Sequence, residues 1–156
     1  MILFFYFAVN VIATYLFIKK KKRLHILEII VYWLLGSYIF QNYSALCYMN
    51  FKTLIISDKL SYELSHFLNR TVLYPILMVT FLHFHLILST HLKKLLLLIG
   101  FILLLTGLEW LADILGVIKH VHWQTWWSFS FWLTALVLLL GNMKLFRRIL
   151  YKGEMK

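Results

Sequence analysis

One cysteine, one proline and six carboxylates are all that the 156 residues hold of these kinds. The single Cys47 excludes an intrachain disulfide and any cysteine-rich metal motif, and it reads as a small buried or interfacial residue. No P-loop, GxGxxG, nucleophile elbow or HExxH motif occurs, so none of the chemistries those loops support has a sequence basis. No internal repeat or low-complexity linker divides the chain. It reads as one domain over residues 1–156, with no room for a separate soluble unit.

What is abundant is apolar. Hydrophobic residues make up 62% and the mean hydropathy is +0.81, against about 45–50% apolar in a soluble domain. Long uncharged runs point to a bilayer, with room for about five spans of roughly 20 residues. The expected fold is all-α, a polytopic transmembrane helical bundle with spans at 1–18, 24–42, 70–91, 95–117 and 124–145. The first run is followed, not preceded, by Lys19–Arg23, which argues for a retained span and against a cleaved signal. Between spans two and three, Leu60, Leu64, Phe67 and Leu68 recur at helical spacing. They predict a short interfacial helix or an early start of span three. Pro75 predicts a kink or break near residues 71–75.

A net charge of +10 suggests nucleic acid in a soluble protein, but here the bases flank the apolar runs. With the N-terminus outside, 12 of the 16 Lys and Arg fall on inner segments; Lys52, Lys59, Arg70 and Lys119 fall outside. That bias sets the orientation, with the C-terminus cytoplasmic, and no nucleic-acid partner is expected. Trp110, Trp123, Trp126 and Trp127 gather where spans four and five meet the outer surface, a level that favours amphipathic rings.

Span four carries the unexpected polarity. Glu109 lies about 22 Å above Lys94 by helical rise, in the outer third of the hydrocarbon layer, and Asp113 lies one turn higher. Thr106, Glu109, Asp113 and Gly116 share one face; Gly100 and Gly107 lie on roughly the opposite face, where small residues permit close helix approach. Span four is therefore expected at the centre of the bundle. A carboxylate in the apolar layer costs a few kcal/mol unless paired, hydrated or protonated. The plainer reading pairs Glu109 or Asp113 with Arg70 and locks spans three and four; the functional reading is an outward-facing polar pocket. His120 and His122 stand in a short outer loop where, if extended, both rings would share a side and could join the acids. His83 and His85 point to different faces and cannot chelate one metal, although one of them could pack by a hydrogen bond near mid-bilayer. Glu28 is close enough to Arg23 to snorkel to the inner interface. No metal site and no cofactor are expected.

The elements Tyr74-Pro75, Leu92-Lys93-Lys94, Glu109-Trp110 and Trp123-Gln-Thr-Trp-Trp-Ser128 occur in an order and spacing that resembles a family of small, uncharacterised multi-pass membrane proteins of spore-forming Firmicutes. The likeness covers about the last 85 residues. It departs at Val121-His122, where the family tends to have Asn-Gly, and at Trp132, where it tends to have Asn. The resemblance implies a five-span protein of the bacterial plasma membrane and draws attention to Glu109, Trp110, Trp123, Trp126, Trp127 and Ser128. It implies no reaction.

The expected function is a non-enzymatic membrane component that binds a lipid, amphiphile or partner helix at an outer polar groove built from Arg70, Glu109, Trp110, Asp113, Trp123, Trp126, Trp127 and Ser128. Membrane lipids, a homo-oligomer or a membrane protein are the expected partners. One alternative is an intramembrane enzyme acting on lipid-linked substrates, with Glu109, Asp113, His120 and His122 as catalytic candidates. Another is a proton- or ion-conducting oligomer using Glu109 and His83.

Overall fold

Leucine-rich runs without proline are helical almost throughout the computed structural model, which describes residues 1–19, 23–57 and 59–151. The helices are α1 (Ile2–Lys19), α2 (Ile26–Ala45), α3 (Leu60–Leu68), α4 (Tyr74–Ile87), α5 (His91–Ile114) and α6 (Thr125–Leu150). Two π-helical turns, Leu46–Asn50 and Asn69–Leu73, extend α2 and weld α3 to α4. Of the basic stretches that set the expected orientation, residues 20–22 and 152–156 lie outside the described residues.

Four helical segments are long and apolar enough to cross a membrane: Ile2–Lys19, Leu60–Ile87, His91–Ile114 and Thr125–Leu150. α2 has 20 residues, but Glu28 near its start and Gln41 to Ser44 at its end keep it out of that set. The third segment starts at Leu60 because the short helix expected before it runs on without a break. Its apolar stripe, Leu60, Leu64 and Phe67, faces outward, while Ser65 and His66 turn inward. His66 Nε2 lies 3.2 Å from Ser44 Oγ of α2.

Pro75 explains the π turn. It has no N–H to give the carbonyl of Thr71, four residues back, and its ring crowds that carbonyl. The ladder shifts to a five-residue step, with the Tyr74 N–H on the Asn69 carbonyl, a recognised way for a helix to absorb an irregularity. The Thr71 carbonyl is not orphaned, because the Trp33 indole N–H donates to it at 2.8 Å.

The central element is α4, not α5. It packs against α1, α2, α5 and α6, and it supplies Met78, Val79, Phe81 and Leu82 to the core. α5 meets chiefly α4, α6 and the strand that follows it. Its Gly100 and Gly107 would place a Cβ in open space, so the close approach expected there does not occur. That approach is at Gly36 of α2, where a Cβ would stand 2.9 Å from Met78 Sδ and 3.6 Å from Pro75 Cα. Small residues mark faces that permit contact; the neighbours decide which face is used.

A feature the sequence reading lacked is a two-stranded antiparallel ribbon, so the chain is mainly but not wholly α. β1 (Leu54–Ile56) pairs with β2 (Ile118–His120) in the register Leu54↔His120, Ile55↔Lys119, Ile56↔Ile118. The ribbon binds the α2–α3 connection to the α5–α6 connection at one end of the bundle. Alternation buries Leu54 and Ile118 against Val117, Ala112, Cys47 and Tyr6 and leaves Ile55 and Lys119 outward.

At the opposite end Glu28 is fully buried and does not snorkel. Its Oε1 takes Arg147 Nε of α6 at 3.0 Å, and its Oε2 accepts the His25 N–H at 2.8 Å as part of the α2 cap. Arg147 is remote in sequence but adjacent in space, which is why Arg23 seemed the nearer relief. His83 is buried at this same end, its Nδ1 accepting the Arg23 N–H at 3.3 Å.

Candidate functional site

The last turn of α5 ends in a glycine-dependent cap. Gly116 takes φ +72°, a left-handed conformation that costs side-chain-bearing residues energy. Its N–H donates to the Asp113 carbonyl at 2.9 Å, and the Val117 N–H donates to the Ala112 carbonyl at 2.9 Å. These two bonds form a Schellman closure. The chain therefore reverses at once into β2, which carries His120 back over the face of α5 that bears Glu109 and Asp113.

His120 is gripped by both acids. Its Nε2 lies 3.3 Å from Glu109 Oε1, its Nδ1 lies 3.6 Å from Asp113 Oδ2, and its main-chain N–H donates to Asp113 Oδ1 at 3.1 Å. The other oxygen of Glu109, Oε2, accepts the Trp132 indole N–H of α6 at 3.0 Å. Glu109 is 3% exposed, whereas the Asp113 side chain is 31% exposed. The inner acid is thus held by the protein, while the outer acid also meets its surroundings.

Two opposing effects act on the His120 ring. Burial, the largest, favours the neutral form; the hydrogen bond and charge of Glu109, with those of Asp113, outweigh it. The net result is a pKa raised above the ordinary histidine value.

These groups line a cleft of about 380 Å³, together with Thr106, Trp110, His122, Trp123 and Ser128. Trp123 lies over the His120 ring, with centroids 4.8 Å apart, and its indole N–H donates to Ser128 Oγ at 3.0 Å. Trp110 is largely exposed at the rim. Thr106 Oγ1 is buried without a hydrogen-bond partner among the described residues. Behind Glu109, Phe40, Tyr74 and Trp132 form an aromatic wall, with Phe40 stacked 5.2 Å from Trp132. The wall fixes the indole that holds the carboxylate.

Not every expected residue is here. Arg70 does not reach the acids, because its π turn packs on α1 and α2 rather than α5. Its guanidinium lies over the Phe67 ring at 5.4 Å, and its Nε has no hydrogen-bond partner among the described residues. His122 lines the cleft, but not beside His120 on one strand face: β2 ends at His120, and His122 takes a left-handed φ of 51°. Trp126 turns away, its N–H on Gln124 Oε1 at 2.6 Å. Trp127 stands edge-on to Trp123 and lines an adjoining hollow with Tyr43 and Cys47. Cys47 itself is buried, and burial pushes its thiol pKa up, so it is a poor nucleophile. Trp132 is the residue that sequence reasoning missed. The available signal was a buried indole, which needs an acceptor, in an otherwise apolar run.

The arrangement can do two things chemically. A histidine between two carboxylates can hold or exchange a proton at the cleft edge. Carboxylates beside indole faces also suit a head group that donates hydrogen bonds or carries positive charge. Among the described residues, no three His, Cys, Asp or Glu side chains converge in a way that could hold a metal ion. No family model matches the chain, and neither does any curated protein or solved structure compared with it.

Proposed function

We propose that the chain is a five-span protein of the bacterial plasma membrane, N-terminus outside, that binds the polar head of a lipid or amphiphile in the cleft over Glu109, Asp113 and His120. Four long apolar helical segments and the basic bias of the opposite end support the membrane reading. α2, second in chain order, brings the spans to five, its one acid neutralised by Arg147. The observation that carries the binding reading is the Glu109–His120–Asp113 array, open to a tryptophan-rimmed cleft at the helix ends. Interfacial indoles and a polar floor fit a molecule that is part head group and part chain. The head it prefers donates hydrogen bonds or is cationic.

Native mass spectrometry after purification in mild detergent tests this, because it reports oligomer size and retained lipid together. The wild type should keep an amphiphile that Glu109→Gln loses. Equal retention by both would overturn the reading. For topology, a maleimide probe applied from outside should label Ile55→Cys, which is exposed on the ribbon, and spare the buried Cys47. Labelling of Ile55→Cys only from the cytoplasmic side would reverse the orientation.

A second reading, an enzyme acting on lipid-linked substrates, is favoured by one distance. Glu109 and His120 lie 3.3 Å apart at the edge of an open cleft, as acid–base work requires. Recovery of a lipid of altered mass, dependent on His120, would establish it over simple binding. The conducting reading has less support, because the groove that His83 lines is apolar apart from Thr80 and does not include Glu109.

A further inference from the structure

The end of the bundle opposite the ribbon holds a second cleft, of about 510 Å³, between α4, α5 and α6. Lys94, Lys144, Arg147 and Arg148 line it with His85 and Tyr151, and no Asp or Glu does. Beneath it the buried Glu28 neutralises one of these cations, Arg147. That contact is made through Nε, so the outer guanidinium nitrogens are not needed for it. Lys144 and Arg148 are exposed, and each lacks an acidic partner among the described residues. His85 Nδ1 is buried without a hydrogen-bond partner among the described residues. Cations gathered without counter-charge repel one another unless an anion joins them.

The surroundings indicate the source of that anion. Leu92, Leu95, Leu96, Leu145 and Ile149 are exposed on α5 and α6 near the cleft. An anion seated here therefore sits beside surface suited to acyl chains. Basic pockets between helices at the cytoplasmic face take lipid phosphates. We infer that this cleft seats the phosphate of an anionic phospholipid, with Lys94, Lys144, Arg147 and Arg148 as its ligands. The inference rests on the membrane reading above but not on the cleft at Glu109.

The test uses the full chain. Alkaline carbonate extraction of membranes comes first; release of the wild type overturns the membrane reading, and this inference with it. A retained chain is then purified and titrated with phosphatidylglycerol, cardiolipin or phosphatidylcholine under native mass spectrometry. The wild type should bind one anionic lipid per chain in preference to phosphatidylcholine. Each cation removed should cost about fivefold in affinity. Lys144→Gln with Arg148→Gln should therefore weaken anionic lipid binding by about 25-fold and leave phosphatidylcholine unaffected. Lys52→Gln with Lys119→Gln removes the same charge at the other end and should change little. An equal loss in that control would show diffuse attraction and overturn the site, as would no preference for anionic lipid. Displacement of the lipid by millimolar inorganic phosphate would identify a soluble-phosphate site and overturn the lipid assignment.

Discussion

Trp132 donates its indole N–H to Glu109 Oε2 at 3.0 Å, joining the first third of α6 to the polar end of α5. Both residues are buried, so this bond and the His120 contact are what keep a carboxylate inside the bundle. Trp132→Phe keeps an aromatic ring but deletes the donor together with the pyrrole ring that carries it. It should lower stability by at least about 1.5–3 kcal/mol, the lost bond to a buried charged group plus the space left in the core. Glu109→Gln keeps an acceptor for Trp132 and should cost less, about 1 kcal/mol, while abolishing ligand retention. Thermal unfolding in detergent measures both, and an unchanged Trp132→Phe midpoint would remove the structural role given to this bond.

His120 sets a pH dependence. Its folded pKa lies above the ordinary value of 6.5, so folding favours the protonated ring. The contribution is therefore complete below about pH 6.5 and is lost as pH rises through the folded value. Unfolding midpoints of the wild type should fall across that interval, and His120→Gln should flatten this part of the curve. A wild-type profile that rises there would contradict the geometry.

At the opposite end, the fully buried Glu28 carboxylate pairs with the partly exposed Arg147. Arg147→Met leaves a carboxylate enclosed without its cation, which costs several kcal/mol in a fully enclosed pair. Arg147 is one-third exposed, so about 2 kcal/mol is expected here. Adding Glu28→Gln should recover most of the loss, to within about 1 kcal/mol of wild type. Additive losses in the double variant would show that the two side chains act separately.

Among the described glycines, Gly36 has the closest neighbours across a helix contact. Gly36→Ala drives a methyl toward Met78 Sδ and should destabilise by about 1–2 kcal/mol. Gly100→Ala and Gly107→Ala meet open space and should be neutral, or stabilising by up to about 1 kcal/mol. Parallel thermal melts of the three variants decide it.

These contrasts mark what the sequence could carry. Helical spacing put Glu109 and Asp113 on one face, and the short α5–α6 connection put His120 near them. Both relations are local, and hydropathy resolves local structure well. Height along the bundle was legible for Arg70; its angle around the bundle was not, because the π turn at Asn69–Leu73 faces α1 and α2. Glu28 and Arg147 are 119 positions apart, and no periodicity links positions so distant. The ribbon escaped notice because three-residue strands fall below the length at which alternation can be told from chance. Trp132 was masked by its own apolar ring, the property that otherwise places it in the core.

The π turn before Pro75 also works as a phase shifter. It adds the equivalent of one residue to a helix that advances about 100° per residue. α3 can therefore direct Ser65 and His66 inward while, past the turn, α4 presents Met78 and Phe81 to the core. Winding these same residues as α, with none removed, would rotate one half of the rod against the other by about a quarter-turn. Either α3 would swing Leu64 or Phe67 into the place of His66, or α4 would carry Met78 away from Gly36. The extra residue held in this turn thus decides which side chains of α3 and α4 reach the core together.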